Sequence, residues 1–244
     1  MNTATLHAAT ENKDAVGQSD FEWAYDKQVR QHCHPLPSLT SFFQTMGTEW
    51  KSKVRPKEDL EITAYHEAGH TLVALFTKDS MPLHKVTILA KGGSGGHTGF
   101  TPTENMQWHQ TKSQMKARMD VAMGGRIAEE LIFGTEKITG GASSDLAGAT
   151  QTAVNMVKKL GMSEKVGLRV QYDDPVQNME YGPSTREVNL KDKENALFSH
   201  TFIHSFQLTD EEINRLLNES YKRATDLLTK HKKELILLAE ALLK

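Results

Sequence analysis

The chain has 244 residues, 38% of them hydrophobic, which is enough for one sizeable core and a small appendage. Its 29 basic and 31 acidic side chains are spread evenly, for a formal net charge of -2, and offer no basic patch to nucleic acid or anionic lipid. The single cysteine, Cys33, excludes an internal disulfide, and no apolar run reaches the roughly 18 to 20 residues that span a bilayer. The opening MNTATLHAATENKDA has the order of neither a signal peptide nor a transit peptide.

In chain order, residues 1–28 read as helical, and QHCHPLPSLTSFFQT (31–45) breaks any period with two prolines, as a linker or insertion does. His32, Cys33 and His34 lie in it; adjacent side chains seldom converge on one ion, so they are given no role. The main body begins near Lys57. Ile62, Tyr65, Leu72, Val73 and Phe76 share one face of a helix over 61–76. Gly69 in its middle asks for a packing reason, and the close approach of another backbone would supply one. HKVTILA (84–90) alternates like a strand, GGSGG (92–96) turns, and HTGFTP (97–102) returns as a second strand. Such a strand can serve as an ordinary packed hairpin or offer an edge to an extended peptide.

Ser113 to Phe133 reads as a helix closed by Gly134, and Asp145 to Leu160 as another closed by Gly161. The final segment carries a capping-box start, Thr209 with Glu212, and apolar residues at every third or fourth position. The fold class expected is mainly α, multihelical, with one small β-hairpin.

The chemistry is concentrated in TAYHEAGHTL (63–72). At about 100° per residue, His66 and His70 stand one turn apart on the same helix face and can converge on one ion. Zinc accepts such imidazoles, and a catalytic site takes three protein ligands and leaves a place for water. Glu67 is turned away from His66, where a carboxylate can take the water proton and return it to a leaving amine. With 11 histidines in the chain, the motif also admits a bland reading as a packed or solvated helix. Spacing leaves the third ligand open among Asp145, Glu129, Glu130, His84 and His97. Asp145, which ends the glycine-rich TGGASSD, is equally suited to capping the next helix. Glu129, on a helix carrying Gly124 and Gly125, can ligate or hold a ligand histidine through its other nitrogen.

Taken together, TAYHEAGHTLVALFTKDSMPLHKVTI, MGGRIAEELIFG, TGGASSDLAGAT and KLGMSEKVG resemble the peptidase domain of the FtsH family of membrane-bound, ATP-dependent zinc metalloproteases. The resemblance runs from Glu61 to about Gly167 and again from Glu211 to the end, and is strongest toward the mitochondrial i-AAA branch. It implies a metalloendopeptidase with one Zn2+ per chain on His66, His70 and Asp145, Glu67 as the catalytic residue, and Glu129 beside the metal but not on it. It further implies unfolded or membrane-associated polypeptides as substrates, a homo-hexamer or assembly with full-length subunits, and a place at the mitochondrial inner membrane, on the intermembrane-space side.

The departures from that pattern shape the expected organisation. No Gly-Lys pair occurs in the chain, so ATP is expected only through an ATPase module outside it, and membrane attachment only through an anchor outside it. Residues 1–28 resemble the end of the ATPase lid, 29–56 read as a linker with an unusual insertion, and 57–244 as the metallopeptidase domain. KDKENALFSHTFIHSFQ (191–207) reads as a second insertion, and Gly140 stands where the family usually has threonine. The alternative expectation is a truncated regulatory or inactive subunit that assembles without efficient proteolysis.

Overall fold

The computed structural model describes residues 2–24 in part, 55–90, 94–101, 106, 109–168, 170–171 and 196–244. The stretch 31–45 with its His32, Cys33 and His34, and residues 191–195, lie outside the described residues. The chain divides into two compact units, Met1–Glu49 and Trp50–Lys244. In the first, α1 (Asn2–Thr10) carries His7, whose ring stacks on Trp23 at 4.2 Å and whose Nδ1 lies 2.8 Å from the buried Asp20.

The second unit runs α2 (Lys57–Phe76), β1 (Leu83–Thr87), β2 (His97–Phe100), α3 (Lys112–Phe133), α4 (Ser143–Val154), α5 (Ala196–Lys230) and α6 (Lys232–Leu242). It is mainly α, as expected, with one antiparallel two-stranded hairpin in which Thr98 faces Val86 and Thr87 faces His97. Helix α2 begins four residues before its apolar period, because Glu58 and Asp59 suit the positive end of a helix. Helix α3 opens with a capping box that composition did not flag: Thr111 Oγ1 accepts from the Gln114 amide at 3.2 Å, and Gln114 Oε1 accepts from the Thr111 amide at 2.9 Å. It stops at Gly134, whose φ of 85° suits only glycine without strain.

Two further helix starts differ from expectation. Helix α4 starts at Ser143, after a short 3-10 turn, so Ala142 holds the cap position and Asp145 lies inside the first turn. Asp145 is therefore not a cap, and its carboxylate is free to point elsewhere. Thr209 and Glu212 do not start a helix either, because α5 runs unbroken through them from Ala196. Their side chains serve packing instead: the Thr209 hydroxyl donates to Gln171 Oε1 at 2.9 Å, while Glu212 accepts from Ser163 at 3.0 Å and Arg215 at 2.7 Å.

The core is made by one face each of α2, α3, α5 and α6 and by the segment after α4, where Val73, Met119, Ile127, Met156, Val157, Leu228 and Leu235 are at most 1% exposed. Asp120, buried on α3, accepts from Ser220 and from Nε and Nη2 of Arg223 on α5 at 2.5–2.9 Å, which satisfies its charge. Helices α2 and α3 touch backbone to backbone. A Cβ on Gly69 would lie 2.3 Å from the Gly124 carbonyl oxygen and 2.6 Å from Ala128 Cβ, and a Cβ on Gly124 would lie 2.8 Å from the Gly69 carbonyl oxygen. This contact is the packing reason that Gly69 asked for. Gly69→Ala therefore forces the helices apart, against its better helix propensity, and is expected to lower stability by about 1–3 kcal/mol. Urea unfolding checks this; an unchanged or raised midpoint contradicts it.

Candidate metal centre

The contact between α2 and α3 determines where the histidines go. His66 and His70 lie on the face of α2 that meets Gly125 of α3, where a Cβ would stand 2.6 Å from the Nε2 atoms of both rings. Only a glycine leaves room for the two imidazoles. Their Nε2 atoms are 3.0 Å apart, and Asp145 Oδ2, brought in by the first turn of α4, lies 3.3 Å from one and 3.4 Å from the other. Three ligand atoms bound at about 2.0–2.1 Å to a tetrahedral zinc stand roughly 3.4 Å apart, so the triangle matches one such ion.

The hydrogen bonds on the far side of the rings fix their chemistry. His70 Nδ1 lies 2.7 Å from the Val121 carbonyl oxygen, which can only accept, so Nδ1 carries the proton and donates. His66 Nδ1 lies 2.7 Å from Glu129 Oε1 and donates to that carboxylate. In the neutral form that ligates a metal, each ring turns a bare Nε2 lone pair toward the other and toward an Asp145 oxygen. Three acceptors facing one point call for a cation. With only protons to bind, burial opposes a charge on His66, but hydrogen bonds to Asp145 and Glu129 and the field of Glu67 outweigh it and push the imidazole up to about 10. Burial likewise works against an ionised Asp145, yet the two histidines hold its carboxyl well below the usual carboxylate range.

Glu129 is 1% exposed, the environment in which an unpaired carboxylate is least tolerable. It is fully engaged: Oε1 takes the His66 proton, and Oε2 accepts both the Thr139 amide at 2.9 Å and the Thr139 hydroxyl at 3.0 Å. Thr139 Oγ1 also accepts from the Gly141 amide at 3.2 Å, so one threonine joins Glu129 to the glycine loop that delivers Asp145. A side chain at Gly140 would meet nothing within 4 Å, so the loop is held by its neighbours and not from that position.

Glu67 faces the hairpin. The Thr98 hydroxyl donates to its Oε2 at 2.6 Å, and Gly96 passes so close that a Cβ there would come within 2.8 Å of its Oε1. Burial pushes the Glu67 carboxyl up, against the opposing pull of His70, Thr98 and His66. Arg55 pins the turn down, donating to the Gly95 carbonyl at 2.7 Å and to Thr63 Oγ1 at 2.8 Å.

Of the residues singled out in the sequence, the structure gathers His66, His70 and Asp145 at one point, with Glu67 beside them and Glu129 behind His66. Glu130 instead accepts from the Tyr221 hydroxyl, His84 is exposed on β1, and neither it nor His97 joins the group. Among the described residues a second gathering, His7 with Glu11 and Asp20, already has both carboxylates paired with Lys13, whose Nζ lies 2.7 Å from Glu11 and 2.9 Å from Asp20. Sequence reasoning missed Thr98, Thr139 and Arg55. The alternation of β2 puts Thr98 and Phe100 on one face and so holds a signal for Thr98, but no local pattern marks the other two.

Two histidines a helical turn apart, a glutamate after the first, and a carboxylate from a separate helix define the class of zinc metallopeptidases with an HExxH helix. The chain belongs to peptidase family M41, whose profile matches residues 53–244. It is 45% identical to the ATP-dependent zinc metalloprotease YME1 homolog of Caenorhabditis elegans, over 100% of this chain and 30% of that protein. It is 40% identical to the ATP-dependent zinc metalloprotease YME1L1 of Homo sapiens, over 100% of this chain and 26% of that protein. With the ATP-dependent zinc metalloprotease FtsH of Rickettsia bellii the identity is 37%, over 100% of this chain and 34% of that protein. The chain thus spans about a third or less of the length of these relatives.

The raised proton affinity of His66 has a measurable sign. An unperturbed imidazole loses its proton at about 6.5, whereas the folded site keeps it up to about 10. That proton stabilises the chelator-treated fold fully below about pH 6.5, and the contribution disappears as pH rises through about 10. The ring resonances of His66 in chelator-treated protein are expected to hold their protonated positions between about pH 6 and 8. An NMR titration with a midpoint near 6.5 contradicts this.

Proposed function

We propose that the chain is a zinc endopeptidase domain that hydrolyses peptide bonds in unfolded polypeptides, with His66, His70 and Asp145 as the metal ligands and Glu67 as the general base. The observation that carries this reading is the triangle of three acceptor atoms, 3.0–3.4 Å on a side, with both Nδ1 atoms already committed to other partners. Zinc bound there supplies a Lewis acid that lowers the pKa of a bound water to about 7. Glu67, buried and raised toward neutrality, takes a proton from the attacking water and hands it to the leaving amide nitrogen. Glu129 keeps His66 in the tautomer that presents Nε2, and Thr139 holds Glu129.

Substrate selection is assigned to the outer edge of β2. The Thr101 amide donates to the Pro82 carbonyl at 2.9 Å, toward the β1 side, so strand alternation turns the amides of Thr98 and Phe100 the other way. Among the described residues no third strand covers that edge. An extended peptide added there is held by its backbone, which favours unfolded segments over particular side chains. The relatives' names, their greater length and the resemblance set out above support a setting in which an ATPase ring delivers the polypeptide to a hexamer at the mitochondrial inner membrane. No described helix is long and apolar enough to cross a membrane. The complete ligand set and adjacent base favour chemistry over the inert-subunit reading.

Two experiments test the proposal. Asp145→Ala should release zinc, while Glu67→Gln should retain it and lose casein hydrolysis by about a hundredfold or more. Retention of one zinc at wild-type affinity by Asp145→Ala, or full activity in Glu67→Gln, sinks these roles. Phe100→Pro removes an outward amide and is expected to slow casein cleavage with zinc content unchanged. Turnover at the wild-type rate by the folded variant would move the substrate to another groove.

A further inference from the structure

We infer that Thr98 is a positioning residue: its hydroxyl fixes the Glu67 carboxylate relative to a peptide lying on the open edge of β2. The inference rests on the proposed roles of Glu67 and of that edge, and deepens them. Thr98 is 9% exposed, and its Oγ1 stands 2.6 Å from Glu67 Oε2. A carboxylate only accepts, so the hydroxyl donates. Among the described residues this is the one hydrogen bond that the Glu67 carboxylate receives; no lysine or arginine pairs with it, and the Nδ1 atoms of His66 and His70 are committed elsewhere. The second oxygen is confined sterically, because Oε1 lies under Gly96, where a Cβ would come within 2.8 Å. Thr98 of β2 and Gly96 of the turn just before it therefore set both ends of the carboxylate.

That strand segment also holds the backbone groups assigned to substrate. The outward amide of Thr98 belongs to the residue whose side chain turns down onto Glu67. A peptide paired at this point is placed against the strand that places the base, with no intervening loop to add slack. Orientation of this kind acts on the reacting geometry, so it is expected in kcat more than in KM. Thr98 carries no proton in the reaction; Glu67 does. Arg55, bound to the Gly95 carbonyl and to Thr63 of α2, keeps the approach to the strand seated on the same helix.

The test uses the full chain and a short fluorogenic peptide that needs no unfolding, with zinc affinity measured by chelator competition as a second readout. Thr98→Val keeps the branched shape and deletes the donor. It is expected to lower kcat by about tenfold or more, with KM and zinc affinity within about twofold of wild type. Thr98→Ser keeps the donor and is expected to stay within about threefold in kcat. In a Glu67→Gln background, Thr98→Val should add less than about a twofold further loss, since the group it positions is gone. Wild-type kcat in Thr98→Val overturns the inference, as does an equal loss in Thr98→Ser. A full additional loss in the Glu67→Gln background also overturns it, because the effect would then come from general strand packing. Wild-type activity in Glu67→Gln alone removes the base assignment and the inference with it, whereas a defective Glu67→Gln beside an unaffected Thr98→Val removes only the inference.

Discussion

The site depends on one steric constraint, the backbone contact between α2 and α3 at Gly69 and Gly124. Helices packed through ordinary side chains stand about 8–10 Å apart, and small residues at the crossing bring them closer. At this crossing the approach is tight enough that a Cβ on either glycine would collide with the opposite main chain. Close packing allows the Val121 carbonyl and Glu129 of α3 to reach the rings of His66 and His70 on α2. Gly125 leaves the space that the imidazoles fill. Gly69, poor for the helix as a helix, is what permits α2 to carry a site at all.

Around that contact the chain concentrates negative charge. Asp145, Glu129 and Glu67 are all buried near two imidazoles, and no lysine or arginine of the described residues neutralises them. Such a cluster is unfavourable unless a cation completes it, and the displacement of His66 to higher proton affinity expresses the same demand in protons. A divalent ion meets it with one centre in place of a shared proton. The three carboxylates are distinguished by environment: Asp145 faces the Nε2 atoms of both imidazoles, Glu129 is locked behind His66 by Thr139, and Glu67 is turned toward the hairpin, where burial raises its proton affinity. Similar groups take different roles because different elements hold them.

In the proposed function the hairpin links this chemistry to a substrate of no fixed sequence. Among the described residues one edge of β2 is left uncovered, a feature that proteins usually protect against unwanted pairing. Beside the HExxH helix, the same edge is where we propose that an extended chain adds through backbone hydrogen bonds. Folded proteins have few such chains to offer, so selection falls on conformation more than on side chains. This suits a domain whose relatives are named as ATP-dependent proteases and are about three or more times its length.

Much of this was legible in the residues themselves. The 3.6-residue period, the glycine stops and the spacing of His66 and His70 are local properties, so the helices, the hairpin and the pair of histidines on one face follow from sequence alone. Linked motifs in order added the family. Other features depended on tertiary structure. The Thr209–Glu212 pattern looked like a helix start, but the hydroxyl of Thr209 and the carboxylate of Glu212 find partners at Gln171 and Ser163, 38 and 49 residues away, and the helix continues through them. Asp145 had the chemistry of both cap and ligand, and spacing could not decide between them; the structure removes the cap reading, because Ala142 takes the cap position, and α4 brings the Asp145 carboxylate to His66 across 79 residues. Alternation gives Thr98 a face but not a partner, and Thr139 carries no local mark at all, because a hydroxyl's partner is defined by which strand or loop folds against it. Periodicity is set between neighbours along the chain, whereas a site is set between residues that meet only when the helices pack.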